Sequence, residues 1–174
     1  LITGKKQHTG NWIGKTTANA WGICHSPARD YTLVDIPGTY SLSSRSAEEE
    51  VARDFICFGA HQAVVIVCDA TCLERGLLLV MQVLETCPKA LLCVNLLDEA
   101  EKRHITIDLP RLEQCLGIPV VGVAARSGKG LAQLQERLHA LLHEDAPSPC
   151  PVPIPEQLEE PLQLVQAALP EGVE

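Results

Sequence analysis

The chain has 174 residues and a formal net charge of −8, with 46% hydrophobic, 21% charged and only 3% aromatic residues. That length suits one domain of ordinary size, the balance is that of a folded chain rather than a disordered one, and the core has to be aliphatic. An acidic chain lacks the basic face with which nucleic-acid binders neutralise phosphates, so no nucleic-acid partner is expected.

The chain opens on a short polar stretch, Leu1 to Thr9, followed by Gly14-Lys15-Thr16-Thr17. The latter looks like the end of a Walker A loop. A full loop needs a glycine five positions before Gly14, and Thr9 stands there with no apolar strand ahead of it. Two readings stay open: a variant phosphate loop, or a nucleotide-responsive loop in which the Thr16 hydroxyl and backbone reach Mg²⁺ and a γ-phosphate. The second fits better.

Further along, Trp21 to His25 forms a weak strand pattern, and Tyr31 to Ile36 a clearer one that is ambiguous between buried and edge. Ser46-Ala47-Glu48-Glu49 is a capping box leading into Val51 and Phe55. Ala63 to Asp69 is a continuous apolar run, as are Ala90 to Asn95 and Pro119 to Ala124. Runs of this kind suit a parallel sheet covered on both faces. Thr71-Cys72-Leu73-Glu74 predicts a helix start, with Leu73, Leu77, Met81 and Leu84 on one face. Asp108 before Leu109-Pro110 is an N-cap with an early proline, and Gly117 ends that helix. Leu131, Leu134, Leu138 and Leu141 line a later helix. Five alternating prolines from Pro147 to Pro155 form an extended spacer, beyond which Leu158, Leu162, Val165 and Leu169 recur at helical spacing.

Strands alternating with helices give an α/β fold, with the loops after the strands gathered along one edge of the sheet, where ligands of open α/β sheets bind. The eight cysteines include no C-x-x-C pair, and Cys68 and Cys93 sit within strand runs while Cys115 lies on a helical face. Reduced, mostly buried thiols are expected rather than disulfides or a metal cluster. There is no secretory signal, and no apolar run approaches the ~18 residues that span a bilayer.

Three strand tails carry chemistry. Asp35-Ile36-Pro37-Gly38 places a carboxylate suited to Mg²⁺ before a glycine whose N–H can approach a γ-phosphate, although the same tetrapeptide is ordinary turn chemistry. Asn95-Leu96-Leu97-Asp98 offers a carboxylate able to accept both N1–H and the exocyclic amine of guanine, with an asparagine able to buttress nearby loops; a plain loop cap is the alternative. Ala124-Ala125-Arg126, with Gly128 and Gly130 behind it, would let backbone N–H groups face the base O6, or is a simple strand-to-helix turn. Their order and spacing are those of a Ras-like GTPase.

With Gly10 to Thr16, Asp35 to Leu42, Glu49 to Asp54, Asp69 to Arg75 and Asn95 to Ala100 in place, the chain resembles the bacterial ferrous iron transport protein B family from Leu1 to about His143. The resemblance implies a Ras-like P-loop GTPase fold, a parallel-rich sheet with helices on both faces. It implies a GTP/GDP- and Mg²⁺-binding domain on the cytoplasmic face of the inner membrane, fused to a membrane-embedded iron-transport domain. It assigns the nucleotide to Gly14, Lys15, Thr16 and Thr17, to Asp35 through Gly38, to Asn95, Leu96, Leu97 and Asp98, and to Ala124, Ala125 and Arg126, with Thr16 and Asp35 as Mg²⁺ ligands. Ile13 replaces the family's usual proline.

The family begins with a strand, a Gly-rich loop and a helix, and roughly 20 residues of that unit are expected to be absent ahead of Leu1. Hence the expected organisation is a truncated GTPase domain over 1–145, a proline linker over 146–155 and the start of a helical domain over 156–174. The expected activity of the chain alone is weak or nil. A non-catalytic nucleotide-sensing or interaction module is the alternative. No catalytic base is named, because Thr39 stands where many small GTPases place a glutamine. His139 and His143, four apart on a helix, have no evident third ligand and read as a solvated helix end. Glu48 to Glu50 read as a helix N-terminal charge cluster, and Arg75 and Arg126 as surface arginines.

Overall fold

The computed structural model describes residues 20–25, 30–43 and 46–143, together with 161 and 163. Gly14 to Thr17, the proline spacer and almost all of the helix expected after it lie outside the described residues.

Two strands, β1 (Ala20–Cys24) and β2 (Tyr31–Asp35), pair antiparallel in the register Trp21 with Val34 and Cys24 with Tyr31. Three more, β3 (Val64–Asp69), β4 (Ala90–Asn95) and β5 (Val120–Gly122), form a parallel sheet in the order β3-β4-β5. The hairpin resolves the ambiguity of Tyr31 to Ile36: the segment pairs antiparallel with β1 and is not hydrogen-bonded to the parallel sheet. Tyr31 and Leu33 are half-buried while Thr32 and Val34 are exposed, the one-sided covering that antiparallel strands tolerate. By contrast, Ala90 to Val94 are all buried, as a central parallel strand requires.

Five helices flank the strands: α1 (Ala47–Phe58), α2 (Leu73–Thr86), α3 (Leu97–Lys102), α4 (Leu109–Leu116) and α5 (Leu131–His143). The Ser46 side chain accepts from Glu49 N–H, and Asp108 accepts from Arg111 N–H, so both expected N-caps form. Gly117 closes α4 at φ 68°, the left-handed conformation glycine adopts without penalty. The Thr71 capping box does not form. Instead, the Asp69 carboxylate caps a 3₁₀ turn over Ala70–Cys72 by accepting from Thr71 N–H, and α2 starts at Leu73 with no side-chain cap. An aspartate at the strand end reaches the first free N–H sooner than a threonine two residues on. Helix α3 has no counterpart among the sequence-predicted elements.

The two faces of the parallel sheet pack separately. Ile66, Cys68, Leu92, Val94 and Val120 meet Ile56, Val80, Val83, Leu84 and Leu116 on one face. On the other, Leu91, Cys93, Val121 and Val123 meet Leu134, Leu138 and Leu141 of α5. Strand period 2 divides neighbours such as Leu91 and Leu92 between the two layers. Cys24, Cys68, Cys87 and Cys93 are buried, while Cys72 and Cys115 are exposed. Burial pushes the Cys93 thiol up to about 11, so it stays protonated and behaves as a small apolar side chain. Among the described residues no helix is long and apolar enough to cross a membrane.

Candidate functional site

Parallel pairing puts the ends of β3, β4 and β5 on one edge, with Asp69 directly opposite Asn95. From the tail of β4, the Asn95 side-chain Oδ1 accepts the Ala125 N–H at 3.1 Å, thirty residues on. The asparagine therefore does not cap the helix beside it: the N-cap of α3 is Leu96, which makes no side-chain cap bond. Two main-chain bonds finish the junction, Val123 N–H to Val94 O at 2.8 Å and Leu97 N–H to Val123 O at 3.2 Å. So the Asn95–Asp98 and Ala124–Arg126 segments form one unit.

Leu96 adopts φ 64° and ψ 33°. A branched residue in the left-handed region costs on the order of 1–2 kcal/mol, which the surrounding bonds have to offset. The bend turns the chain abruptly from β4 into α3 and places Asp98 in the first helical turn. One carboxylate oxygen of Asp98, Oδ1, is buried with no hydrogen-bond partner in the structure. A buried acceptor without a donor is costly, and it is the arrangement expected of a group that receives its donors from a ligand.

The last loop is built for close backbone approach. Ala124 bridges Lys129, and Ser127 N–H bonds to Ala124 O at 3.0 Å. Gly128 and Gly130 both have positive φ, 80° and 83°. A Cβ on Gly130 would stand 2.3 Å from the Gly122 carbonyl oxygen, so only glycine fits there. Arg126 is exposed at its tip.

Asp35 ends β2 with an exposed side chain, and Ile36, Pro37 and Gly38 follow without regular structure. The sequence did not reveal how the next residues are held. Gln82 Oε1 on α2 accepts both Leu42 N–H at 2.8 Å and the Ser41 hydroxyl at 3.1 Å. The Arg75 guanidinium lies 3.9 Å from the centre of the Tyr40 ring, a cation–π contact in place of the free surface arginine expected. Thr39 turns its hydroxyl back to Ser41 O at 2.6 Å, so it is spent on a local turn rather than held ready as a base. In the sequence Asp69 ends a strand run and opens the Asp69 to Arg75 segment. Burial opposes its ionisation, but hydrogen bonds from Thr71 N–H and hydroxyl outweigh that and hold the carboxyl below its usual range.

A parallel sheet flanked by helices, with Asn95 locked to the last loop and an orphan Asp98 oxygen at its strand tails, puts the fold in the Ras-like α/β class. The family model for ferrous iron transport protein B matches residues 1–138, and the chain belongs to that family. It is 38% identical over 138 residues to the Fe(2+) transporter FeoB of Escherichia coli K12 and, equally, of Salmonella typhimurium LT2. The match covers 77% of this chain, and the chain spans only 18% of the length of these curated relatives. Among solved structures, the cytosolic domain of the T. maritima FeoB iron transporter in a GDP form superposes with a TM-score of 0.87 at 32% identity, over 99% of this chain and 68% of that one. Its GMPPNP form gives the same values. The FeoB G-domain from Methanococcus jannaschii gives 0.69 at 35% identity, over 71% of this chain and 80% of that one.

Proposed function

We propose that this chain binds guanine nucleotide as the G-domain portion of an Fe²⁺ transporter and, in the whole protein, hydrolyses GTP to regulate iron uptake through a membrane-embedded domain. The observation that carries the reading is the unpartnered Asp98 Oδ1 beside an Asn95 already engaged to Ala125. Guanine presents N1–H and an exocyclic amine side by side, which a carboxylate accepts together; adenine offers no such pair. Asn95 positions, Asp98 recognises, and the Ala124–Arg126 backbone faces the base O6. Leu96 and Leu97 shape the turn between them.

The phosphate end of the site is assigned to Gly14, Lys15, Thr16 and Thr17 and to Asp35 through Gly38. Asp35 is an exposed carboxylate, the hard oxygen donor that Mg²⁺ prefers, so it and the Thr16 hydroxyl fit as ligands. When bound, that ion would neutralise phosphate charge. The chain's own part in hydrolysis is to position water and phosphate through the Asp35–Gly38 backbone, with no covalent nucleophile. The 174 residues contain no complete Gly-x-x-x-x-Gly-Lys-Ser/Thr sequence, so base recognition is expected to survive in this polypeptide with weak overall affinity.

Ligand-observed NMR of the polypeptide with GDP, ADP and XDP tests the assignment at such affinities. GDP should bind in preference to ADP. Asp98→Asn should weaken GDP and favour XDP, because the amide can donate to the xanthine 2-oxygen. Equal binding of GDP and ADP, or an Asp98→Asn variant indistinguishable from the parent, would overturn the guanine assignment.

A further inference from the structure

Away from the nucleotide edge, one ridge of α5 faces the hairpin. Gln135, His139 and His143 lie four residues apart, hence on one side of the helix. Opposite them is the cross-strand pair Cys24 and Tyr31. Gln135 Nε2 reaches Cys24 Sγ at 3.6 Å. The Tyr31 hydroxyl hydrogen-bonds to His139 Nδ1 and also lies 3.2 Å from His143 Nε2. The two imidazoles themselves lie 4.4 Å apart, centre to centre. The neighbouring pair His25 and Asp30, both exposed, is engaged with itself at 2.9 Å.

The geometry points to a transition-metal site made by His139 Nδ1, His143 Nε2 and Tyr31 Oη, which clips the β1–β2 hairpin to α5. Two imidazole nitrogens converge on one phenol oxygen from elements more than a hundred residues apart. Metal–nitrogen bonds of about 2.0–2.1 Å place adjacent donors roughly 3 Å from one another; His143 Nε2 stands at that spacing from Tyr31 Oη, whereas His139 Nδ1 lies closer and has to draw back, and the phenol releases its proton to solvent as the ion enters. His143 is exposed and His139 and Tyr31 are half-buried, so an ion can enter and keep water in its remaining positions. Imidazole donors select Zn²⁺, Ni²⁺ or Cu²⁺, and by the same ordering Fe²⁺ binds more weakly. Sequence spacing alone pairs the histidines; the third donor comes from a strand far away in the chain and is a phenol, outside the set from which metal motifs are usually read.

The site also has a place in the mechanics of the fold. Tyr31 opens β2 and Asp35 closes it. A clip at Tyr31 therefore restrains the strand that presents Asp35, at the end of the strand away from the nucleotide.

Titration of the polypeptide with Zn²⁺ by calorimetry, repeated with His143→Ala and Tyr31→Phe, tests this. One equivalent should bind, and each variant should lose at least about tenfold in affinity, the lower bound seen even for groups that merely support ligands. His143→Ala alters an exposed helix end and should keep the parent's circular dichroism. Co²⁺ should bind without a thiolate charge-transfer band, which separates the site from the exposed cysteines. Zn²⁺ should slow amide exchange in β1 and β2 in the parent and not in His143→Ala. Unchanged affinity in His143→Ala, or a thiolate band with Co²⁺, would overturn the proposal; unchanged affinity in Tyr31→Phe would remove the phenol from the ligand set and with it the clip.

Discussion

Asn95 shows how much rests on one side chain. Its oxygen is the acceptor for the Ala125 N–H, and Ala125 belongs to the loop that would face the base. Removing the acceptor leaves a half-buried N–H without a partner, which costs on the order of 1 kcal/mol. Asn95→Ala is therefore expected to lower stability by about that much and to reduce guanine-nucleotide affinity by more than tenfold, because the loop loses its position as well as a bond. Asn95→Asp keeps an acceptor, so it should recover the stability measured by urea unfolding. Equal stability of all three proteins would show that Ala125 finds another partner. The Asp98 case differs: its oxygen has nothing to lose in the unliganded chain, so Asp98→Asn should alter base preference with little effect on folding.

At the scale of elements, the contact of α2 with β3 depends on an absence. Gly76 sits over Cys68, and a Cβ there would stand 2.5 Å from its Sγ. Alanine would add about 1 kcal/mol of helix propensity, while overpacking typically costs 1–3 kcal/mol. The buried thiol has little room to rotate away, so Gly76→Ala should destabilise the protein. In a Cys68→Ala background the same change should lose most of its cost, since only the tight 3.1 Å approach to the Cβ at position 68 remains, and a double-mutant cycle by urea unfolding should return a coupling of about 1–2 kcal/mol. Additive effects would mean that the core yields freely at this point. Contacts of this kind were invisible in the sequence, where Gly76 only weakens a helical pattern. What was legible followed from local rules. Ala90 to Asn95 was placed to the residue, since unbroken apolarity over six positions leaves little choice of strand. Ser46 and Asp108 were placed because capping is chemistry within four residues. The pairing of β2 with β1, the hold of Gln82 on Ser41 and Leu42, and the meeting of Tyr31 with His139 all depend on tertiary neighbours, to which periodicity is blind. The same limit applied to the nucleotide edge: Asn95 and Asp98 could be named from spacing, but not that one would be engaged and the other free.

Across the whole molecule, the two layers of helix meet the sheet independently, α1 to α4 on one face and α5 on the other. Glu113 of α4 joins them around the edge strand β5. It pairs with Arg137 of α5 through both carboxylate oxygens, and its Oε2 accepts the Val120 N–H at 3.0 Å. A strand edge that would otherwise present a free donor is thereby closed by a side chain. Burial pushes the Glu113 carboxyl up, but the Val120 N–H and the Arg137 guanidinium outweigh it and hold the group below its ordinary value of 4.5. A carboxyl depressed in the folded state stabilises the protein fully above that ordinary value, and the contribution disappears as pH falls through the lowered one. Both side chains are more than a third exposed, so solvent screens the pair and its worth is that of a surface bridge, up to about 1 kcal/mol. Glu113→Gln should therefore melt below the parent at neutral pH. The difference should shrink as acid protonates Glu113 and vanish once the parent carboxyl is neutral. Glutamine can still accept from Val120 N–H, so the part that titrates reports the Arg137 pairing. Thermal unfolding of the two proteins across the acid range measures it directly. A difference that persists undiminished in acid would mean that Glu113 joins the layers by packing and not by charge.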